Sequence, residues 1–449
     1  MRTNSDASER PITVDLFSGC GGISVGHKRA TGRDPDYAAN HDEIALGVHA
    51  RNHPMTTHLL GDVWHRRPHH VARGRRVGHV HASPTCIDFS RAKGAPLEHA
   101  EATKIRALAW VVRPWLREAP PDVLTMENVV EWEGWCRLDN DGKRIEAEKG
   151  RTFKRFVRMI RSFGYSVDWR ALSAHYYGDA TTRRRLFLIA RRDGRPIRWP
   201  EPTHGPGTGK PFRSAAECID FDLPCPSIFD EDRGLKAPTL ARIARAVRKH
   251  VLDAEEPFVV GGHAWAMIHR SNGERPGQAP RIYDIREPLG TVVAGGNKHG
   301  LVAVCLVKHY GGHEGSGLDV REPLGAVTTR DHHALVACSL HTDRRRAVRE
   351  LLSRHEPDER QGQLFGKDPW KVYVGGEAYE IADIGMRSLT PRERARSHSF
   401  PEDFVLDRDA NGDEVSPTKQ GKLVGNSVPT MMAAAVIGAN RTALEVAAA

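Results

Sequence analysis

Ile12-Thr13-Val14-Asp15-Leu16-Phe17-Ser18-Gly19-Cys20-Gly21-Gly22 is an apolar run that passes at once into small residues. That is the pattern of a buried strand entering a tight turn. Short apolar runs recur at 77–83 (VGHVHAS), 122–129 (DVLTMENV) and 185–192 (RLFLIARR). Between them lie helical candidates at 101–119 and 151–164, the second with Phe153, Phe156, Val157, Ile160 and Phe163 on one face and Arg and Lys on the other. Strands alternating with helices imply an α/β unit over 11–193, a parallel sheet covered by helices on both faces.

Composition sets the outer limits. At 449 residues the chain is long enough for one large domain and a second, smaller one. Its 39% hydrophobic and 27% charged content is that of an ordinary globular protein, and no stretch approaches the roughly 20 apolar residues of a membrane span. Residues 1–10 are polar, lack the apolar core of a secretory signal and are expected to be disordered. A formal charge of +9 favours a polyanionic partner, most simply nucleic acid. The seven cysteines (20, 86, 136, 218, 225, 305 and 338) show neither a CxxC pair nor zinc spacing, so reduced thiols in a cytoplasmic protein and no metal are expected.

Beyond a Pro- and Gly-rich stretch at 199–211, the texture changes. REPLGTVVAGGNKHGLVA at 286–303 and REPLGAVTTRDHHALVA at 321–337 are near copies, offset by 35 residues at their starts and 34 at their ends. Each reads as a turn, a β-branched strand and a basic or His-bearing loop, so 194–385 is expected to be a smaller, strand-rich domain. The charge-dense segment 341–361 reads as a short helix or a mobile loop. From about 386 the texture reverts. Thr390-Pro391 marks a helix start, and 424–448 reads as a final Ala-rich helix, so 386–449 should return to the first domain.

Four places can carry chemistry. The Gly-rich turn after the first strand lets a ligand approach the backbone closely, although it lacks GxGxxG spacing and equally suits a purely structural turn. Cys86, in HASPTCIDFS, follows a strand at the end where open α/β sheets bind ligands. An ionised thiol there is a strong nucleophile, whereas a lone cysteine is more often a small buried hydrophobe. Glu127 ends the strand DVLTMEN and is either a proton donor in a cleft or a solvated cap. Arg183 and Arg185 share a face if the segment is extended; a charge run is otherwise surface.

Taken in order, VDLFSGCGG, GDVW, SPTC, ENV, RRR, LTPRERARSHSFPEDF and GNSVP resemble the motif series of the DNA cytosine-5 methyltransferases, over roughly 11–193 and 386–440. The resemblance implies a Rossmann-like methyltransferase sheet, S-adenosylmethionine as methyl donor and double-stranded DNA as substrate. It implies that Phe17, Gly19, Gly21 and Gly22 line the donor pocket, with Phe17 on the adenine. Asp62 would meet the adenine edge, Asn40 the ribose, and Asn426-Ser427 would close the pocket. Cys86 becomes the nucleophile at carbon 6 of cytosine, Glu127 the acid at N3, Arg185 a contact to the base's carbonyl oxygen and Arg183 its support.

Three positions depart from the family pattern. Thr85 stands where a second proline usually precedes the cysteine, which frees φ there; Asn40 replaces the usual ribose-binding acid; and Thr181 replaces the glutamine that opens the arginine motif. The intervening region is expected to be the target-recognition domain, with His299, His309, His313, His332, His333 and Arg330 facing phosphates and base edges. Other readings are an RNA cytosine-5 methyltransferase and a non-catalytic DNA-binding relative. The favoured one is a monomeric, nucleoid-associated, prokaryotic or phage-encoded enzyme with a restriction endonuclease as its functional counterpart.

Overall fold

The first strand is buried at every position from Ile12 to Leu16, because a strand inside a parallel sheet has helices on both sides and no face for water. The computed structural model describes residues 10–85, 89, 98–270, 278–279, 281–295, 298–308, 344–355 and 370–441. The chain divides into two units, one of Met1–Cys218, Pro288–Gly296 and Thr390–Ala449, the other of Ile219–Glu287 and Asn297–Leu389.

In the first unit the order is β1 (Ile12–Leu16), α1 (Gly22–Thr31), β2 (Tyr37–Asn40), α2 (Glu43–Asn52), β3 (Thr57–Leu60), α3 (Pro68–Ala72), β4 (Val77–Ala82), α4 (His99–Ala107), α5 (Val112–Glu118), β5 (Val123–Asn128), α6 (Arg151–Ser162), β6 (Ser166–Ser173) and β7 (Arg184–Arg191). The seven strands lie in the order β3-β2-β1-β4-β5-β7-β6. Phe153, Phe156, Val157 and Ile160 of α6 are buried as their spacing predicts, against a core that includes Trp115, Trp132, Leu124 and Leu188. The Rossmann-like sheet read from the sequence is present.

β7 runs antiparallel to both β5 and β6, so the sheet is not parallel throughout. The connection from Ser173 to Arg184 holds only a short 3-10 turn over Ala174–Tyr177, whereas a parallel neighbour needs a crossover of a dozen or more residues. The C-terminal segment forms two helices, not one. Pro417–Asn426 and Thr430–Ala439 are separated at Ser427-Val428-Pro429, because a residue before proline is driven out of the α region. The second helix packs Met432, Ala433, Val436 and Ile437 with Ile23 of α1, Phe187 and Ile189, covering the sheet's other face. The helix predicted at Thr390-Pro391 is Pro391–Ser397, closed by a capping box between Thr390 and Glu393.

The second unit is built on an antiparallel sheet. After α7 (Ala237–Val247) come β8 (Val259–Val260), β9 (His263–His269), β10 (Ile282–Tyr283), β11 (His299–Lys308), α8 (Arg345–His355), β12 (Lys371–Val374) and β13 (Glu377–Ser388). The strands order as β10-β9-β11-β13-β12, with β8 beside β9. α7 and α8 bury Ile243, Val247, Val348 and Leu352 in one core with Val302, Val304 and Ile384.

Of the repeat, the second copy and with it His309, His313, Arg330, His332 and His333 lie outside the described residues. In the first copy the expected strand at Thr291–Val293 is absent; β11 begins only at His299. Its carbonyls are taken by side chains instead, Val292 by Arg183 (2.7 Å) and Val293 by Arg394 (2.8 Å). His299 is buried, edge-on to His269, and so does not sit on a loop. Cys20, Cys136, Cys218 and Cys225 are free thiols.

Candidate active site

Between β1 and β4 the chain reverses its direction of travel across the sheet: it leaves β1 toward β2 and β3, then crosses back to β4. Such a reversal opens a crevice at the carboxyl ends of the strands, where open α/β sheets bind their ligands. Two loops leave from it side by side, Phe17–Gly21 after β1 and Ser83–Thr85 after β4. The Ser83 amide donates to the Leu16 carbonyl (3.3 Å).

The first loop is wound tightly. Phe17 (φ 63), Gly19 (φ 55) and Gly21 (φ 112) all lie in the left-handed half of backbone space, unusual for a bulky residue such as Phe17 and common where strain serves a site. A Cβ on Gly19 would meet nothing within 4 Å, so the loop faces open space there. On Gly22 it would stand 2.0 Å from Ser427 Oγ, which shows how closely the GNSVP segment seats on the start of α1. Ser18 Oγ is buried with no hydrogen-bond partner among the described residues.

The other residues expected around a donor are brought to the same edge unevenly. Asn40, nearly buried at the end of β2, accepts from the Asp42 amide (2.9 Å). Asp62, exposed beyond β3, caps a 3-10 turn through the Trp64 amide (3.0 Å). Ser427 is buried against Gly22, whereas Asn426 is exposed at the end of its helix.

Beneath the turn lies a polar chain that sequence reasoning missed. Ser24 donates to Asp15 (2.8 Å), His49 Nε2 meets the Ser24 hydroxyl (2.9 Å) and His49 Nδ1 meets His58 Nε2 (2.8 Å). With the Ser24 proton given to Asp15, His49 must carry its proton on Nε2 and accept from His58. Burial pushes the Asp15 carboxyl up to about 7, partly offset by the Ser24 hydrogen bond. Burial also drives His49 well below the usual imidazole value, aided by the neighbouring His53 and His58. His49 near the end of α2 and His53 at its C-cap, four apart, were the available signal.

On the other side of the crevice, Cys86 lies outside the described residues. The stem of its loop is fixed. Asn128, at the end of β5, donates to the Pro84 carbonyl (3.0 Å) and accepts from the Val129 amide (2.9 Å). His81 bonds Thr125 of β5 (2.8 Å) and Ser83 (2.6 Å), and its burial keeps the ring neutral. Neither Asn128 nor His81 was singled out from the sequence as a positioning group.

Glu127 is 7% exposed and forms an ion pair with Arg185 Nε (3.0 Å) across the β5–β7 pair. Both side chains are nearly buried, so the attraction is little screened. Arg183 does not join that pair. It is buried and donates to the carbonyls of Val292 (2.7 Å) and Gly425 (3.0 Å). Thr181 lies within hydrogen-bond reach of the Gly290 carbonyl (3.4 Å). His398, also missed, is wholly buried; burial and the charges of Arg183, Arg185 and Arg394 push its pKa far down. Among the described residues no group of three or more His, Cys, Asp or Glu is placed to hold a metal ion. No helix among them is long and apolar enough to cross a membrane.

A family model, C-5 cytosine-specific DNA methylase, matches residues 12–209 and 328–440. The type II methyltransferase M.AquIA of Picosynechococcus is 28% identical over 199 residues, 43% of this chain and 77% of that protein. The type II methyltransferase M.AgeI of Thalassovita gelatinovora is 25% identical over 460 residues, 94% of this chain and 97% of the relative. Among solved structures, the Entamoeba histolytica methyltransferase EhMeth superposes with a TM-score of 0.50 at 12% identity, over 96% of this chain and 98% of its own, a likeness of fold. Those matched segments cover both loops of the crevice and the returning C-terminal helices, and the chain belongs to the C-5 cytosine-specific DNA methylase family, the DNA (cytosine-5-)-methyltransferases.

Proposed function

We propose that this enzyme methylates carbon 5 of cytosine within a specific duplex DNA sequence, through a transient bond between Cys86 and carbon 6 of an extruded base. The observation that carries the reading is the crevice at the strand reversal. There the donor-type turn and the stem of the Cys86 loop are tied by Ser83 to Leu16 (3.3 Å), and Glu127 with its Arg185 partner ends the adjoining strand.

The turn suits S-adenosylmethionine on two counts, the unpartnered Ser18 hydroxyl and the open space beside Gly19. When bound, that donor supplies a methyl group on a cationic sulfur. Phe17 would hold the adenine ring, Asn40 the ribose and Asp62 the adenine edge. Gly21 and Gly22 let the helix start come close, and Asn426-Ser427 would close the pocket.

Cytosine carbon 5 is a weak nucleophile until a group adds to carbon 6. The Cys86 thiolate makes that addition, and Glu127 holds the proton at N3 that takes up the developing charge. Carbon 5, now electron-rich, would accept the methyl carbon as that carbon's bond to the donor sulfur breaks, a neutral thioether being the leaving group. Loss of the carbon-5 proton to a base then breaks the carbon–sulfur bond and returns the thiolate. Arg185 contacts the base's carbonyl oxygen, while Arg183 anchors the strand start that carries it. A base stacked in duplex cannot meet this geometry, so it must swing out.

Catalysis is assigned to 11–193 and 386–449 and target recognition to 194–385, the region that holds the antiparallel sheet. With type II methyltransferases as relatives, we read a cytoplasmic, monomeric enzyme at the nucleoid, with a cognate restriction endonuclease as its counterpart. The test is transfer of labelled methyl from S-adenosylmethionine to duplex DNA. Cys86→Ser is expected to abolish transfer while DNA and donor binding persist; substantial residual methylation would refute the assignment.

A further inference from the structure

A cavity of about 550 Å³ opens between the Trp64 segment, α5 and the start of α6, lined by Trp64, Trp110, Arg113, Arg117, Arg137 and Arg155. None of the residues assigned to the donor or to cytosine lines it. Its size is that of a small-ligand site. Its walls combine two chemistries.

The first is positive charge. Arg117 is paired with Glu118 (2.6 Å) and Arg137 with Glu148, but Arg113 and Arg155 have no carboxylate partner among the described residues. Both are exposed. Four guanidiniums against two carboxylates leave the cavity cationic, and a guanidinium fork suits phosphate oxygens.

The second is aromatic surface. Trp110 is held edge-on by Phe156 at 5.2 Å and tilted against Trp135 at 5.7 Å, so it forms a fixed wall. Trp64 is 41% exposed, one of few large apolar side chains left in water among the described residues. An exposed indole beside arginines is a platform for a planar base.

We propose that this cavity binds a phosphorylated nucleoside, its phosphate on Arg113 and Arg155 and its base against Trp64. A simple anion would leave the indoles unused, and a neutral aromatic would leave the guanidiniums uncompensated. The nucleotide is either free or an unpaired residue of a strand, because a base stacked in duplex offers no face to an indole.

The test is calorimetric titration of the full chain with guanosine monophosphate, with S-adenosylhomocysteine saturating the donor site. None of the residues assigned to cytosine lines this cavity, so failure of the catalytic reading does not affect the result. Saturable binding is expected, weakened at least tenfold by Arg113→Glu/Arg155→Glu with S-adenosylhomocysteine binding unchanged. Should the charge reversal unfold the protein, Arg113→Gln/Arg155→Gln serves instead. A single-stranded purine hexanucleotide that binds tenfold tighter than the mononucleotide identifies a strand as the source; otherwise the source is the free nucleotide. The proposal is overturned if neither probe binds, if inorganic phosphate binds as tightly as the nucleotide, or if the double variants bind like the parent.

Discussion

Replacing Gly22 by alanine adds one carbon where the structure has no room for it. That atom would stand 2.0 Å from Ser427 Oγ, 2.5 Å from the Val428 carbonyl oxygen and 3.2 Å from the Val428 amide. The serine hydroxyl can rotate away. The backbone of Val428 cannot, because Pro429 follows it, Thr430 Oγ1 is bound to the carbonyls of His398 (3.1 Å) and Ser399 (2.7 Å), and Asp179 accepts from the amides of Met431 (3.2 Å) and Met432 (2.9 Å). The start of α1 must therefore separate from the C-terminal segment. Overpacking of this kind costs about 1–3 kcal/mol. At roughly 2–4 °C per kcal/mol for a domain of this size, a loss of about 2 kcal/mol lowers the melting temperature by about 4–8 °C. Donor affinity should fall at least tenfold, since both sides of the contact belong to the proposed donor pocket. Gly19→Ala is the control for the melting temperature alone, with nothing within 4 Å of its Cβ and only the strain of φ 55 to bear, about 1 kcal/mol. Adding Ser427→Gly to Gly22→Ala removes the shortest contact and leaves the carbonyl clash, so recovery should be partial. A Gly22→Ala protein that melts and binds donor as the parent does would refute a tight Gly22–Ser427 contact.

Asp15 supplies a pH test. Its folded pKa, near 7, lies above the ordinary 3.8, so the folded state holds a proton that the unfolded state has released between those values. Stability is expected to fall as pH rises from about 4 to 7, by up to about 1.4 kcal/mol per unit from this group, and to level off above. Asp179 is also pushed up to about 7, so Asp15→Asn should make the slope shallower without flattening it; an unaltered slope in denaturant titrations would contradict the assignment. Asn128→Ala frees the Pro84 carbonyl and the stem of the Cys86 loop. Misplacing a reacting group by about 1 Å can cost on the order of 100-fold, so kcat should drop roughly 10- to 100-fold with little change in KM for the donor. Steady-state kinetics with an unchanged kcat would remove Asn128 from the positioning role.

What could be read from the sequence was what is local. β1, β4 and β5 announced themselves as apolar runs and α6 by the spacing of Phe153, Phe156, Val157 and Ile160, because burial acts residue by residue at a fixed period. Thr390-Pro391 marked its helix start because proline suits the first helical position, while the reciprocal bond from Glu393 emerged only in the structure. The antiparallel β7 was harder, since direction depends on how little chain joins it to β6. The break before Pro429 was legible in principle and was lost under a run of alanines. In the candidate site, the ordered motifs pointed to Phe17, Glu127 and Arg185 by resemblance. The Gly22–Ser427 contact, the grip of Arg183 on the Val292 and Gly425 carbonyls, and the chain from Asp15 to His58 join positions far apart in sequence. No local pattern encodes such pairings.

Trapping the sulfur–carbon bond tests the mechanism most directly. A duplex carrying 5-fluorocytosine at the target position, incubated with enzyme and S-adenosylmethionine, should stall after methyl transfer, because fluorine cannot leave carbon 5 as a proton does. Digestion and mass spectrometry are expected to find the nucleotide joined to the peptide that contains Cys86, and no adduct with Cys86→Ser. An adduct on another residue, or turnover of ordinary cytosine DNA with no trapped species on the fluorinated duplex, would contradict the account.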